Sequence, residues 1–260
     1  DSRDQGQNTP LYVKEAGAKG FQDPNNSQIW SPYPDDAVFQ QKYEKFLQAF
    51  AVAFDDPDKV DFIDAYGLGK WGEAHGVKYN DYSKKEEVFE WITDVMSRLF
   101  TKVPIMINYH RCLLSTKGSG DVDTGISADL VKRAVAKGFC LRHDAFGMKQ
   151  YYKDWERGIA AAYRGIVPIT MEGGWVESSH GGSIAGDGYK NFAEVRQGEY
   201  DEAKGSYVNM MDFRFATNVN TGETHSWFNT AFHLVKEFIA EGGYRLYPDR
   251  LSIPTTARSG

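Results

Sequence analysis

The chain has 260 residues, 41% of them hydrophobic and 25% charged, and a formal net charge of −6 at pH 7. A chain of this length can bury a sizeable core as one large domain. The acidic balance, without any Lys- or Arg-rich run, argues against a nucleic-acid partner, because nucleic acids are bound through a basic face. No apolar run reaches the roughly 18 residues that a membrane span needs.

Helices and strands are predicted to alternate after a polar N-terminal stretch. Residues 1–34 are rich in Asn, Gln, Pro and Gly and show no periodic element. One helix is predicted to begin with a capping box formed by Ser83 and Glu86. Helical periodicity predicts helices over 36–54, 83–99, 128–137, 150–164, 191–204 and 226–240. Short apolar runs rich in β-formers predict strands over 60–66, 103–109, 139–143, 166–172 and 207–213.

This alternation is the rhythm of βαβ units and predicts an α/β fold with a parallel sheet. We predict a TIM (β/α)8-type barrel in which this chain supplies roughly strands 4 to 8, with the N-terminal strands lying upstream of the sequence. Residues 1–245 would form the barrel part, and residues 246–260 a tail or the start of a following β-domain. A five-stranded open sheet is the alternative.

Two strand ends carry the same combination of residues. The strand over 60–66 runs into a glycine-rich loop with Trp71, Glu73 and His75, and the strand over 166–172 ends on Glu172, two glycines and Trp175. Chemistry in barrels and open α/β sheets takes place at the C-terminal ends of the strands. Two carboxylates at such ends are what the hydrolysis of a glycosidic bond requires.

The other predicted strands also end on polar side chains, which are costly to place at the ends of buried strands without a use. The candidates for contacts with a ligand at these ends, together with a later tryptophan, are Asn108, His110, Arg142, His143, Asp144 and Trp227.

The two glutamates make the chain resemble the large clan of retaining glycoside hydrolases, which carry one catalytic Glu after barrel strand 4 and another after strand 7. With three strands upstream, Glu73 and Glu172 fall on those two strands. The segment formed by Tyr66, Gly67 and residues 71–75 also resembles a family of secreted bacterial barrel proteins in which a β-sandwich follows the barrel.

The resemblance implies that Glu73 is the general acid/base and Glu172 the nucleophile of a retaining glycosidase. The clan usually has Asn before the acid/base, to hold the sugar 2-hydroxyl, whereas this chain has Gly72. His75 or Asn108 would then replace that contact.

The remaining expected substrate contacts are stacking by Trp71, Trp175 and Trp227 and hydrogen bonds from His110, Arg142, His143 and Asp144. The substrate would be an oligo- or polysaccharide, no cofactor or metal is expected, and the location would be secreted or periplasmic in a bacterium.

Two other functions are compatible with the same residues. A metal-dependent barrel hydrolase could use His110, His143 and Asp212, although no local pair has a tight metal-ligand spacing. A carbohydrate-binding barrel without catalysis would keep the aromatic and hydrogen-bonding side chains, and the departure at Gly72 favours it.

Overall fold

The computed structural model describes residues 7, 9–23, 26–69, 71–74, 76–109, 124–144, 146–148, 152–172, 184–213 and 227–241. The predictions for His75, His110, Trp175, the side chain of Asp144 and the tail over 246–260 lie outside the described part of the chain.

Helices and strands alternate through most of the described chain. The helices are Leu11–Glu15 (α1), Ala37–Phe54 (α2), Lys85–Leu99 (α3), Thr124–Ala136 (α4), Asp154–Tyr163 (α5), Phe192–Gly205 (α6), Trp227–Thr230 (α7) and Phe232–Glu241 (α8). The strands are Gly20–Asp23 (β1), Asn26–Pro32 (β2), Ile63–Asp64 (β3), Ile105–Asn108 (β4), Cys140–Asp144 (β5), Ile169–Glu172 (β6) and Met210–Met211 (β7).

The central sheet has five parallel strands in the sequential order β3-β4-β5-β6-β7. The predicted α/β class with a parallel sheet is therefore confirmed. Sequential order without reversal is the order of neighbouring strands in a barrel, whereas a doubly wound sheet reverses direction at a switch point.

The two faces of the sheet differ in chemistry because successive side chains of a strand point to opposite sides. One face is apolar and packs against the helices; its buried members include Ile107, Leu141 and Ile169. On the other face Asn108, Arg142 and Thr170 stand side by side, since they are register partners on β4, β5 and β6. The strand register therefore decides which of the polar residues predicted for the site lie on this face.

Two predicted helix boundaries can be compared with the capping contacts. Helix α2 starts as predicted, with the Asp36 carboxylate accepting a hydrogen bond from Phe39 N at 2.9 Å. The prediction of a capping box formed by Ser83 and Glu86 is wrong. Asp81 accepts from Ser83 N at 2.9 Å instead, and this contact starts a 3-10 turn that leads into α3.

The N-terminal stretch is more ordered than its composition predicts. Instead of lacking regular structure, it contains α1 and an antiparallel hairpin of β1 and β2. Gly20 permits this hairpin, because a Cβ there would come within 2.6 Å of the ring of the buried Trp30. The predicted helix over 226–240 is divided at Ala231 into α7 and α8.

Among the described helices, none combines the length and the apolarity needed to cross a bilayer.

Asp55 fastens the end of α2 to the turn that enters β4. Its carboxylate accepts hydrogen bonds from the backbone N–H groups of Thr101, Lys102 and Val103 at 3.1, 2.9 and 2.9 Å. Burial by itself would raise the pKa of Asp55, but these N–H groups favour the charged form and bring the pKa below its usual value. A lowered folded-state pKa means that the ionised carboxylate stabilises the fold.

We expect Asp55→Ala to lower the free energy of unfolding by about 1 kcal/mol, a modest value because the carboxylate is partly exposed. The stabilisation is complete above the unfolded-state pKa of about 3.9 and is lost as the pH falls toward the folded-state pKa. Urea unfolding between pH 7 and pH 3 should therefore show the two proteins converging in acid. Asp58→Ala, at an exposed neighbouring position, is the control. A difference that persists unchanged at pH 3 would contradict this role.

Candidate active site

Arg142 is the centre of the polar face of the sheet. Its Nη2 lies 2.7 Å from Glu73 Oε1 and also contacts Glu172 Oε2, while its Nε lies 3.4 Å from Asp64 Oδ2. The Arg142 side chain is only 9% exposed. One guanidinium therefore joins three carboxylates that come from β3, from the loop after β3 and from the end of β6.

Asn108 holds the arginine from the neighbouring strand. The orientation of its amide that satisfies both polar atoms has the oxygen accepting from Arg142 Nη1 at 3.0 Å and the nitrogen donating to the Arg142 backbone oxygen at 3.2 Å. Both contacts follow from the register that places these residues beside each other. Since Asn108 is buried, it fixes the direction of the guanidinium without adding charge.

Glu73 reaches Arg142 because the loop after β3 folds back on itself. Ala74 N donates to Leu68 O at 2.8 Å and Gly67 N donates to Gly72 O at 3.2 Å, so that Glu73 forms a parallel bridge with Leu68. The turn needs several left-handed residues, including the non-glycine residues Trp71 and Ala74 at φ 59° and 62°. Such conformations are disfavoured for residues with a Cβ and concentrate at functional sites.

The glycine before Glu73 has a local structural reason. Gly72 has φ +77°, and a Cβ there would lie 3.3 Å from Gly67 Cα. Gly67 is itself confined, since a Cβ on it would lie 2.5 Å from Tyr43 Oη. The close approach of two loop segments therefore favours glycine at the position where the glycosidase clan usually has asparagine.

A cavity of about 360 Å³ opens beside these charges. Glu172 and Arg142 form part of its wall, and Asp212 from the end of β7 adds a third charged group. Phe62 and Met210 contribute apolar surface. The volume lies in the range of pockets for small ligands, and the combination of apolar surface with a few polar groups is typical of such pockets.

Four residues predicted for the site are thus brought together in the structure: Glu73, Asn108, Arg142 and Glu172. Trp71 lies on the same loop as Glu73 and is 46% exposed. Its position at the loop surface is compatible with the predicted stacking on a ligand.

His143 is predicted to hold a substrate hydroxyl, but it lies on the opposite side of the sheet from Arg142. It is completely buried among the rings of Tyr109 and Tyr152, at 4.7 and 4.9 Å between centroids, and its Nε2 lies 3.6 Å from Glu156 Oε1. Adjacent residues of a strand point to opposite faces, so Arg142 and His143 cannot both reach the cavity. His143 is a core residue between β5 and α5.

Trp227 is likewise a core residue rather than a wall of the cavity. It is 1% exposed, packs against Phe213 at 5.3 Å between ring centroids, and lies under the Arg196 guanidinium at 5.2 Å. The predicted stacking of Trp227 on a substrate is not compatible with this burial.

Two residues of the cavity region were missed in the sequence. Asp64 contacts Arg142, and Thr170 lines the cavity. A signal for Asp64 was present, since a charged residue inside an otherwise apolar strand is costly without a partner. Thr170 could have been found from its spacing, because it stands two residues before Glu172 and so shares its face.

The alternative of a metal-dependent hydrolase needs His143 and Asp212 at one site. His143 faces the helices, whereas Asp212 lines the cavity on the other face. Within the described part of the chain, no group of three or more His, Cys, Asp or Glu side chains is arranged to hold a metal ion. The geometry therefore gives no support to this alternative.

Comparisons with known proteins give only distant structural likeness. No protein-family model matches the chain, and no curated protein matches its sequence. One similar solved structure is the catalytic domain of β-amylase from Paenibacillus polymyxa. The aligned region covers 77% of this chain and 69% of the β-amylase chain, at 12% sequence identity and a TM-score of 0.44. A likeness this distant gives no information about function, which depends on the residues of the site.

We expect Arg142→Ala to lower the free energy of unfolding by about 3 kcal/mol, because it leaves three neighbouring carboxylates without their shared cation. Adding Glu73→Gln to this variant should restore part of the loss, since one of the repelling charges is removed. Urea unfolding at pH 7 measures both effects. Arg98→Ala is the control: Arg98 pairs with Glu44 on the surface, and its loss should cost less than about 1 kcal/mol. An Arg142→Ala protein as stable as wild type would contradict the central role of this arginine.

Proposed function

We propose that this chain hydrolyses glycosidic bonds, with Glu73 as general acid/base and Glu172 as nucleophile. The observation that carries the proposal is that both carboxylates contact the same atom, Nη2 of Arg142. One comes from the loop after β3 and the other from the end of β6, and they reach one point beside a cavity of small-ligand size.

The spacing of the two carboxylates favours a retaining reaction. Two oxygens in contact with one nitrogen lie no more than about 6 Å apart, since each contact spans about 3 Å. Retaining glycosidases have their carboxyl groups about 5–5.5 Å apart, whereas inverting enzymes need about 6.5–9.5 Å to admit a water molecule.

In the proposed reaction, Glu172 attacks the anomeric carbon and forms a glycosyl ester while the bond to the leaving oxygen breaks. Glu73 gives its proton to that oxygen, so the leaving group departs as an alcohol. Glu73 then takes a proton from water, and the resulting hydroxide displaces Glu172 from the sugar. Both glutamates end in their starting protonation states.

Arg142 has a defined part in this cycle. A neighbouring arginine favours the ionised form of a carboxylate, which suits Glu172 as nucleophile but not Glu73 as proton donor. The glycosidic oxygen must also enter between the two glutamates. We therefore propose that substrate binding moves Nη2 away from Glu73, while Asp64 and Asn108 keep the guanidinium beside Glu172.

The same proposal includes the complete fold, the class of substrate and the location of the protein. The five strands would be neighbouring strands of a (β/α)8 barrel in which β3 is the fourth strand and β6 the seventh, and their sequential parallel order supports this. An oligo- or polysaccharide substrate and a secreted or periplasmic location stay predictions from the sequence resemblance.

A carbohydrate-binding barrel without catalysis is the second candidate. The contact between Arg142 and both glutamates favours it, because a neighbouring arginine favours the charged form of a carboxylate, which can bind a sugar hydroxyl but cannot protonate a leaving group. The glycosidase and the non-catalytic barrel would both bind the sugar, but only the glycosidase would hydrolyse it.

We expect Glu73→Gln and Glu172→Gln each to reduce kcat by about 10²–10⁴-fold while the affinity for the sugar changes little. A panel of 4-nitrophenyl glycosides and soluble oligosaccharides serves as substrate, and binding is measured by calorimetric titration. Glu87→Gln, at an exposed position of α3, is the control and should keep full activity.

Unchanged turnover in both variants would contradict the proposed catalytic roles. Sugar binding by the wild-type protein, without turnover of any substrate that it binds, would favour the non-catalytic candidate.

A further inference from the structure

The cavity lies on the β7 side of Glu172. Residues 210–213, which form β7 and the two positions after it, line the cavity, whereas the described part of β5 contributes only Arg142. Glu73 does not belong to the described lining. A sugar ring that occupies the cavity therefore lies over β6 and β7. The leaving group of the proposed reaction then lies on the opposite side of Glu172, toward Glu73.

Asp212 stands beside Glu172 on the neighbouring strand. Met171 and Met211 are register partners on β6 and β7, and Asp212 N donates to Met171 O at 3.1 Å, so the same register continues to Glu172 and Asp212. Register partners have Cα atoms about 4.8 Å apart, and their side chains share a face of the sheet. Asp212 is half-buried and lines the cavity, so it has surface that a ligand can contact.

Met210 gives the same strand an accessible apolar surface. It is 38% exposed, lines the cavity and lies two residues before Asp212, on the same face of the sheet. The wall formed by β7 thus presents a thioether side chain and a carboxylate in succession. A sugar ring has matching parts, because its C–H groups form apolar patches and its hydroxyls lie around the rim.

A carboxylate is well suited to bind such a rim. Its two oxygens have about four acceptor sites, so Asp212 can accept from two neighbouring hydroxyls in addition to a contact within the protein. Hydrogen bonds to a charged acceptor are also stronger than those between neutral groups. A site built to bind a hydroxyl in this way discriminates strongly against an analogue that lacks it.

We infer that Asp212 is a specificity-determining residue that accepts hydrogen bonds from ring hydroxyls of the sugar attached to Glu172, while Met210 contacts the C–H groups of that ring. The inference rests on the proposed function for the class of ligand and for the role of Glu172. It adds that the cavity holds the sugar that is retained on the enzyme, not the leaving group.

The first test compares sugars. The best substrate of the 4-nitrophenyl glycoside panel and its monodeoxy analogues are assayed with wild type, Asp212→Asn and Asp212→Ala. We expect Asp212→Ala to lose about 10–100-fold in kcat/KM on the parent glycoside, the value of a hydrogen bond to a charged acceptor. Asp212→Asn should lose less, because its amide oxygen still accepts. The loss should nearly disappear on a deoxy analogue that lacks the bound hydroxyl.

Two controls accompany this comparison. Asp201→Asn removes the same charge from an exposed position of α6 and should keep the kcat/KM of wild type. Circular dichroism shows whether each variant is folded. Where Asp212→Ala does not fold, the isosteric Asp212→Asn carries the comparison, with a smaller loss that follows the same pattern over the deoxy analogues.

The second test changes the leaving group and keeps the sugar. Glu73→Gln should lose more activity on the methyl glycoside than on the 4-nitrophenyl glycoside, because the poorer leaving group needs a proton. Asp212→Ala should lose the same factor in kcat/KM on both, since it acts on the retained ring. A loss for Asp212→Ala that depends on the leaving group as the loss for Glu73→Gln does would overturn the inference, because Asp212 would then supply a proton.

Failure of this inference can be told from failure of the proposed function. Equal losses for Asp212→Ala on the parent sugar and on every deoxy analogue overturn the inference, even where turnover depends on both glutamates. If no glycoside is turned over, calorimetric titration replaces the assay, and the absence of binding by every sugar in the panel overturns the inference as well. Binding without turnover that prefers the same hydroxyl only when Asp212 is present supports the inference and rejects only the catalytic proposal.

Discussion

The polar face of the sheet depends on one guanidinium that is shared by three carboxylates. Arg142 is almost completely buried, and a buried charge is stable only where opposite charges and hydrogen bonds compensate it. Glu73, Glu172 and Asp64 supply the charge, and Asn108 supplies the neutral contacts. The cluster has more negative than positive groups, so it leaves acceptor capacity for a ligand. Before substrate binds, it also holds the two glutamates close to each other.

The scaffold brings this cluster together by two local devices. The parallel register aligns Asn108, Arg142 and Thr170 across three strands, so that alternate residues form a polar row while the residues between them form the core. The second device is the loop after β3, whose left-handed residues turn Glu73 back toward the sheet. Glycine at position 72 suits that turn, because its φ is +77° and a Cβ there would lie 3.3 Å from Gly67 Cα. A site built in this way combines rigid strands with one strained loop.

Much of the fold follows from the sequence alone. The alternation of apolar runs with helical periodicity predicts the five parallel strands and the helices between them, because burial of one face of an element gives its sequence a clear hydrophobic period.

Polar residues at strand ends also point to Glu73, Asn108, Arg142 and Glu172 as residues of the site. Adjacency in one strand places Arg142 and His143 on opposite faces, but which of the two faces the cavity depends on the strand register, which the pattern of a short polar strand end does not fix. Trp227 could not be assigned because an aromatic residue serves equally in a core and in a binding site. The hairpin near the N-terminus has too few apolar residues to be recognised; Ile29 and Trp30 are its buried side chains among the residues that the structure describes.

The most direct measurement of the central claim is covalent trapping of the nucleophile. A 2-deoxy-2-fluoro glycoside with a good leaving group, chosen for the sugar that the protein hydrolyses fastest, slows both steps but leaves the glycosyl ester to accumulate. Peptide mapping by mass spectrometry then identifies the labelled side chain. The proposed roles predict one sugar per chain, attached to Glu172, with Glu172→Gln abolishing the labelling. A label on Asp64 or Asp212, or hydrolysis of the parent glycoside without any labelled peptide, would contradict them.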